Sequence, residues 1–280
     1  MTARGDVFIS VTELAQRLDA GDPATILDVR WQLGAPDGRD AYEAGHLPGA
    51  VYVGLEDELS DHGVPDRGRH PLPSGTHLQE AARGWGVRRG VPVVVYDDWN
   101  RAGSARAWWV LRAAGITDVR ILDGGLSAWR AAGGAMQTGA VTPPPGDIVV
   151  ERHDLYAGAL PTLTAEEAAE HPNLLDARAP ERFRGEVEPV DPVAGHIPGA
   201  KNLPSTSVLT ADGTLLSEYE LSALAWSFGG SEQVGVYCGS GVTAAVLVAA
   251  LSAAGLDAAL FPGSWSQWSA QERPVQTGDQ

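Results

Sequence analysis

One pattern is written twice along this chain of 280 residues, and that repeat limits the fold more than any other feature. The first half carries ILDVRW, AYEAGHLPGAVYV, VPVVVYDD and VRILDGGLSAW in that order. The second half carries LLDARAPERFRG, VAGHIPGAKNL, QVGVYCGSG and AALFPGSWSQW. Asp28 precedes His46 by 18 residues, and Asp176 precedes His196 by 20. Tyr96-Asp97 matches Tyr237-Cys238, and Trp129 follows Asp97 by 32 residues while Trp268 follows Cys238 by 30. Landmarks in one order at near-constant spacing mark a duplicated unit. Between the copies, GAVTPPPGD (residues 139–147) combines three prolines with two glycines and reads as an extended, semi-rigid spacer. The expected division is an N-terminal unit over 1–140, a Pro-rich linker over 141–150 and a C-terminal unit over 151–280, each of ordinary domain size.

Within each unit the short apolar runs TILDV, VPVVVY, VRIL, QVGVY and AALF read as buried strands of a mainly parallel sheet. Helix-like segments alternate with them: TELAQRLDAG, HLQEAARGWG, SARAWWVLRAAG, SEYELSALAWSFG and VTAAVLVAALSAAG. Several begin near Ser or Thr and end at Gly, as capping predicts. The expected class is therefore α/β, two tandem units each with a mainly parallel sheet flanked by helices. Ligand sites in such sheets lie at the carboxyl ends of the strands.

Composition removes several function classes. Hydrophobic residues make up 44% of the chain, ample for a packed core. The longest apolar stretch, VTAAVLVAALSAAGL, is short for a membrane span and reads as a buried helix. The beginning of the chain has no apolar segment of signal-peptide type, and a single cysteine forms no internal disulfide. A cytoplasmic location and a monomer are the defaults. The net charge of −16, with no Lys/Arg run, argues against nucleic-acid and membrane-surface partners. No metal and no cofactor is expected: the histidines lack ligand spacing, and no phosphate-binding glycine loop follows a strand.

Cys238 sits where an apolar run gives way to Gly239, Ser240 and Gly241, with an apolar helix expected from about Val242. Glycines permit the positive φ angles that curl backbone N–H groups around an anion, and the helix start adds unsatisfied donors. Such a loop favours a thiolate and would steady negative charge on a sulfur attached to Cys238, with Thr243 adding a hydroxyl. A Gly-rich turn is a poor place for an inert core cysteine.

The tandem units with GHLPGA and GHIPGA, the DAR…RFRG stretch, the CGSGVTA loop and the PGSWSQW end together resemble the two-domain rhodanese-type sulfurtransferases over nearly the whole chain. The resemblance implies two similar α/β domains. Only the C-terminal one carries a cysteine, which takes sulfur from a small-molecule donor as a persulfide and passes it to a thiol or cyanide. Asp97 at the matching N-terminal position cannot do this, so that domain is expected to be catalytically silent and to wall the cleft. The CGSG loop is associated in this family with 3-mercaptopyruvate, and a basic loop with thiosulfate. Of the two arginines in RFRG, Arg182 is the favoured donor-binding residue. Arg184 is the second candidate, more in keeping with a surface charge.

One departure from the family pattern concerns the donor. Mercaptopyruvate enzymes usually carry another arginine between RFRG and GHIPG, whereas EVEPVDPVAGHIPG contains no basic residue before His196. The resemblance also suggests a proton relay through Asp40, His46 and Ser240. Against that stands the repetition of the G-H-[LI]-P-G-A segment, which points to a fold role for His46 and His196, and Asp28 and Asp176 are likewise read as structural. Trp129, Trp265 and Trp268 read as core, with Trp265 also a candidate for the cleft wall. Three alternatives accompany the mercaptopyruvate reading: a thiosulfate:cyanide sulfurtransferase, a non-enzymatic sulfur-carrier or partner-binding module, and a cysteine phosphatase. The last is disfavoured because no arginine closes the loop.

Overall fold

The computed structural model describes residues 3–228 and 233–279, and its strands form two separate sheets. In the first half they are β1 (Phe8–Ile9), β2 (Thr25–Asp28), β3 (Val51–Tyr52), β4 (Val93–Tyr96) and β5 (Val119–Leu122), ordered β1-β5-β4-β2-β3. In the second they are β6 (Leu174–Asp176), β7 (Lys201–Asn202), β8 (Val234–Tyr237) and β9 (Ala258–Leu260), ordered β7-β6-β8-β9. Every pairing is parallel. Read from the other edge, the second order repeats β5-β4-β2-β3, and a parallel bridge from Thr162 to Leu260 stands in for β1. The duplication therefore extends to topology.

The repeated residues hold the same posts in both halves. Asp28 ends β2 and Asp176 ends its counterpart β6, and each carboxylate is held bidentately by a buried arginine two residues on, Arg30 and Arg178. The Tyr96 and Tyr237 hydroxyls accept from the Leu47 and Ile197 amides. Trp129 and Trp268 donate their indole N–H to the Ala135 and Pro274 carbonyls, closing the last helix of each unit. These are architectural uses, and they account for the repetition.

Two helices explain how the halves join. Ala102–Ala113 and Ala244–Ala253 pack against each other, with eleven of twelve and nine of ten residues buried. A helix apolar all round belongs inside a core rather than on one face of it. The largest cluster accordingly mixes both halves, joining Val95, Trp108 and Trp109 with Val236, Leu247 and Val248, while each outer sheet face keeps its own smaller cluster. No helix among the described residues is long and apolar enough to cross a membrane.

Capping follows the sequence at Ser10, Ser74 and Thr164, whose hydroxyls accept from the third amide of their helices. It does not at the two central helices, whose first residues are preceded by Arg101 and Thr243 without side-chain caps. Near those helix starts, amides are committed to Asp97 and Cys238 instead. The segment 217–229 forms a helix over Glu218–Ser227, and Gly229, its expected stop, lies outside the described residues. Residues 141–150 form neither helix nor strand but are tied along the first half, the Gly146 amide donating to the Arg83 carbonyl and Asp147 accepting from the Arg89 amide.

Gly103 lies inside the first central helix, where alanine would ordinarily add about 1 kcal/mol of stability. A Cβ there would sit 1.9 Å from the Val29 carbonyl oxygen. Gly103→Ala is expected to lower the unfolding free energy by about 1–3 kcal/mol in chemical denaturation; a stabilised variant would contradict this packing.

Candidate active site

Cys238 follows directly on β8 and is 1% exposed, at the floor of a cavity of about 300 Å³ between the two halves. Its sulfur accepts the Gly241 amide at 3.2 Å, the one loop N–H bonded to it. Gly241 has φ +77°, and a Cβ there would lie 2.4 Å from the Pro262 carbonyl oxygen, so the curl requires glycine on both counts. The loop is pinned from behind: the Cys238 and Gly239 carbonyls accept from Trp265 and Ser266 amides, and the Cys238 amide donates to the Ser264 hydroxyl. Val242 and Thr243 line the cavity, and the helix begins at Ala244, two residues later than the sequence suggests. Trp265 is fully buried and bonded to the Val193 carbonyl; it is core, absent from the cavity wall.

In the first half the equivalent loop holds a carboxylate of its own. Asp97 accepts from the Trp99 amide and from the Ser104 amide and hydroxyl, and pairs with Arg101 at 3.3 Å. The anion-binding curl is thus filled from within. The residues after it face the other copy, and Trp99 and Asn100, with Trp31, Leu33 and Arg69, form the N-terminal wall of the Cys238 cavity.

The relay through Asp40 and His46 is corrected by this geometry. His46 is buried against Tyr42, its ring nitrogens 2.8 Å from the Leu47 and Gly139 carbonyl oxygens, where it bridges the end of its own unit. His196 does the same work in the second half, stacked on Phe183 and bonded to its carbonyl. Asp40 is exposed on the short helix Arg39–Ala44. Neither residue touches Ser240.

The histidine that does is His70, buried, with Nδ1 2.7 Å from the Ser240 Oγ and Nε2 3.1 Å from Glu56 Oε1. Glu56 also accepts from the Trp31 indole at 2.6 Å. A carboxylate at Nε2 assigns the proton there and leaves Nδ1 to accept from the Ser240 hydroxyl. Burial pushes the His70 pKa below its ordinary value, outweighing the lift from Glu56, so the ring is neutral at pH 7. Burial pushes the Glu56 carboxyl up, but the bond to His70 and the charge that His70 takes on in acid, with Trp31 and His62, hold it down at about 2. The sequence did contain a signal for His70: it has no counterpart in the second unit, whereas His46 does.

Arg182 lines the cavity beside the cysteine loop. Its Nη2 pairs with Glu188 at 2.6 Å and reaches Asp191 at 3.5 Å. Arg184 does not reach the cavity; it is partly exposed and paired with Glu186, because the short helix Pro180–Phe183 turns it to the other side. Arg69, from the first half, joins Arg182 at the loop, pairing with Asp191 at 2.6 Å.

Arg106, on the first central helix, is fully buried and has no carboxylate partner among the described residues. It donates to the carbonyls of Leu59, His70 and Gly241, so one guanidinium ties the relay histidine to the cysteine loop across the interface. Burial draws its pKa down to about 10, which still leaves it charged at neutral pH, close enough to Cys238 to interact with a thiolate. Among the described residues no group of three or more His, Cys, Asp or Glu side chains could hold a metal ion.

Known proteins resemble this chain in sequence and fold. The rhodanese-like domain model matches residues 10–132 and again 162–271. A Mycobacterium tuberculosis protein with the provisional name thiosulfate sulfurtransferase SseB is 64% identical over 282 residues, covering 99% of each chain. The 3-mercaptopyruvate sulfurtransferase of Escherichia coli K12 is 36% identical over 282 residues, covering 96% of this chain and 97% of its own. Among solved structures, 3-mercaptopyruvate sulfurtransferase from Leishmania major superposes with a TM-score of 0.85 at 31% identity, over 96% of this chain and 76% of that one. Two matching domains, the shared topology and full-length relatives agree: the chain belongs to the rhodanese-like family, among its two-domain sulfurtransferases.

Proposed function

We propose that the protein moves sulfur from 3-mercaptopyruvate to a thiol or cyanide acceptor through a persulfide on Cys238. The observation that carries this reading is the Glu56–His70–Ser240 chain beside the cysteine. Mercaptopyruvate has a thiol proton to lose and a carbon leaving group that must gain one. Ser240, backed by neutral His70, can take the thiol proton, forming an imidazolium steadied by the Glu56 carboxylate. The Cys238 thiolate then attacks the donor sulfur. An S–S bond forms as the C–S bond breaks, the bonding pair stays on the departing carbon, and the proton returns by the same route to give pyruvate. The persulfide anion remains at Cys238, held by the Gly241 amide and the Arg106 charge. An acceptor thiolate next attacks the outer sulfur, and Cys238 leaves as a thiolate.

Thiosulfate is the second reading, favoured by the name of the M. tuberculosis relative and by two arginines near the loop. It has no thiol proton, and its leaving group, sulfite, needs none. The donors are therefore separated by the relay. Ser240→Ala and His70→Gln should each lower kcat/KM for mercaptopyruvate by about 10²–10⁴-fold, with a much smaller loss for thiosulfate in the same assay. Equal losses for both donors would remove the relay from the mechanism. Cys238→Ser should abolish both activities.

Gly241→Ala tests the loop separately. Its φ of +77° and the contact with Pro262 leave no room for a side chain. Persulfide formation should slow by about tenfold or more while the far-ultraviolet spectrum stays that of the parent, since a misplaced oxyanion-type donor alone is worth about 10²–10³. An unchanged rate would mean that the Gly241 amide does not stabilise the reacting sulfur.

A further inference from the structure

We infer that His62 is the outlet of the proton relay: it takes the proton that an acceptor thiol gives up and returns it to solvent outside the cysteine cavity. The inference rests on the proposed sulfur transfer and adds a positioning and proton-carrying residue to its second half-reaction. Three observations converge. Glu56 is shared by two histidines, its Oε1 3.1 Å from His70 Nε2 and its Oε2 3.1 Å from His62 Nε2. Side-chain exposure rises along the chain, from 2% at His70 through 30% at Glu56 to 49% at His62. The chain also leaves the substrate cavity. Ser240 lines it, whereas His70, Glu56 and His62 do not, and Glu56 instead lines a separate groove of about 690 Å³ formed by the first half and the linker. The turn carrying His62 is pinned next to the strand of chain after His70: the Asp61 amide donates to the Pro71 carbonyl, and the Asp61 carboxylate accepts from the Gly63 amide.

A half-exposed ion pair of this kind contributes little to stability. The reaction gives it other work. In the donor step the thiol proton returns to the departing carbon, so none is left over. In the acceptor step the thiol loses its proton to Ser240 as Ser240 passes its own to His70 Nδ1. The thiolate attacks the outer sulfur, an S–S bond to the acceptor forms, and the bond to Cys238 breaks with its electron pair on the Cys238 sulfur. The products are an acceptor persulfide anion, the Cys238 thiolate and one proton, which remains on His70. Until it leaves, that ring cannot take the proton of the next donor. Burial disfavours an imidazolium at His70, whereas the His62 ring is hydrated, so transfer outward runs downhill. Glu56 takes the proton from His70 Nε2 on one oxygen, and a half-turn of the carboxyl group presents it to His62 Nε2. Held at about 2, Glu56 does not keep it. His62, with its other proton on Nδ1, releases that one to water, and exchange with solvent resets the ring.

The test uses the whole protein, 3-mercaptopyruvate as donor and two acceptors: dithiothreitol, a thiol with a proton to lose, and cyanide, which attacks as an anion already formed in solution. In dilute buffer, His62→Ala should lower kcat with dithiothreitol by about tenfold or more. With cyanide kcat should stay within about twofold, and the first-turnover burst of pyruvate should be kept. Added imidazole should restore the lost rate by carrying protons from the vacated position. His62→Gln, which keeps a hydrogen bond to Glu56 but carries no proton, should be as slow as the alanine variant and so separates transfer from mere support. Full activity of either variant with dithiothreitol would overturn the assignment, as would an equal loss with cyanide or a loss that imidazole does not relieve. Failure of the underlying reaction shows differently: the wild-type protein would then release no burst of pyruvate and form no persulfide.

Discussion

The buried guanidinium of Arg106 is the constraint on which the active site depends. A charge fully removed from water is tolerated only if its hydrogen bonds are satisfied. Here the acceptors are carbonyls of Leu59, His70 and Gly241, two in one half and one in the other. Separating the halves would strip the cation of its partner on the cysteine loop and break the Ser240–His70 bond at the same stroke. Packing of the two apolar central helices drives the halves together, and Arg106 makes their alignment specific. Cys238, the Ser240–His70–Glu56 chain and the arginines of the cavity wall consequently meet at one interface.

Duplication followed by divergence explains the division of labour. Both copies build a strand, a curled loop and a buried helix, a scaffold that collects backbone N–H groups around an anion. In the second copy the curl holds the cysteine sulfur. In the first it is the Asp97 carboxylate, which satisfies the curl permanently and closes it to substrates. The first copy supplies surroundings to the second: His70 and Glu56 beside Ser240, and Arg69, Trp31 and Trp99 along the cavity wall.

Much of this was legible in the amino-acid sequence because it is local or repeated. The period of the landmarks revealed the duplication, apolar runs located strands, and the single cysteine before a glycine turn pointed to the loop in the cavity between the halves. Arg182 lay in a motif, and its side chain lines the same cavity. His70, Glu56 and Arg69 were not legible in the same way. They lie between elements in a stretch with no repeat partner and no periodicity, and their partners Ser240 and Asp191 are more than a hundred residues away. Resemblance led instead to His46, a residue whose presence in both copies already argued for the fold. Arg106 left a fainter mark, one of two charges inside AGSARAWWVLRA and the one flanked by small and apolar residues, where burial means that an interior partner must exist.

The central claim is that Cys238 carries a transferable sulfur. Intact mass of the protein after mixing with 3-mercaptopyruvate, and separately with thiosulfate, measured before and after a thiol acceptor is added, tests it most directly. The expected result is a gain of one sulfur atom that disappears with acceptor, is absent from Cys238→Ala, and forms faster with mercaptopyruvate. No gain with either donor would contradict the persulfide mechanism and leave the fold as a binding module.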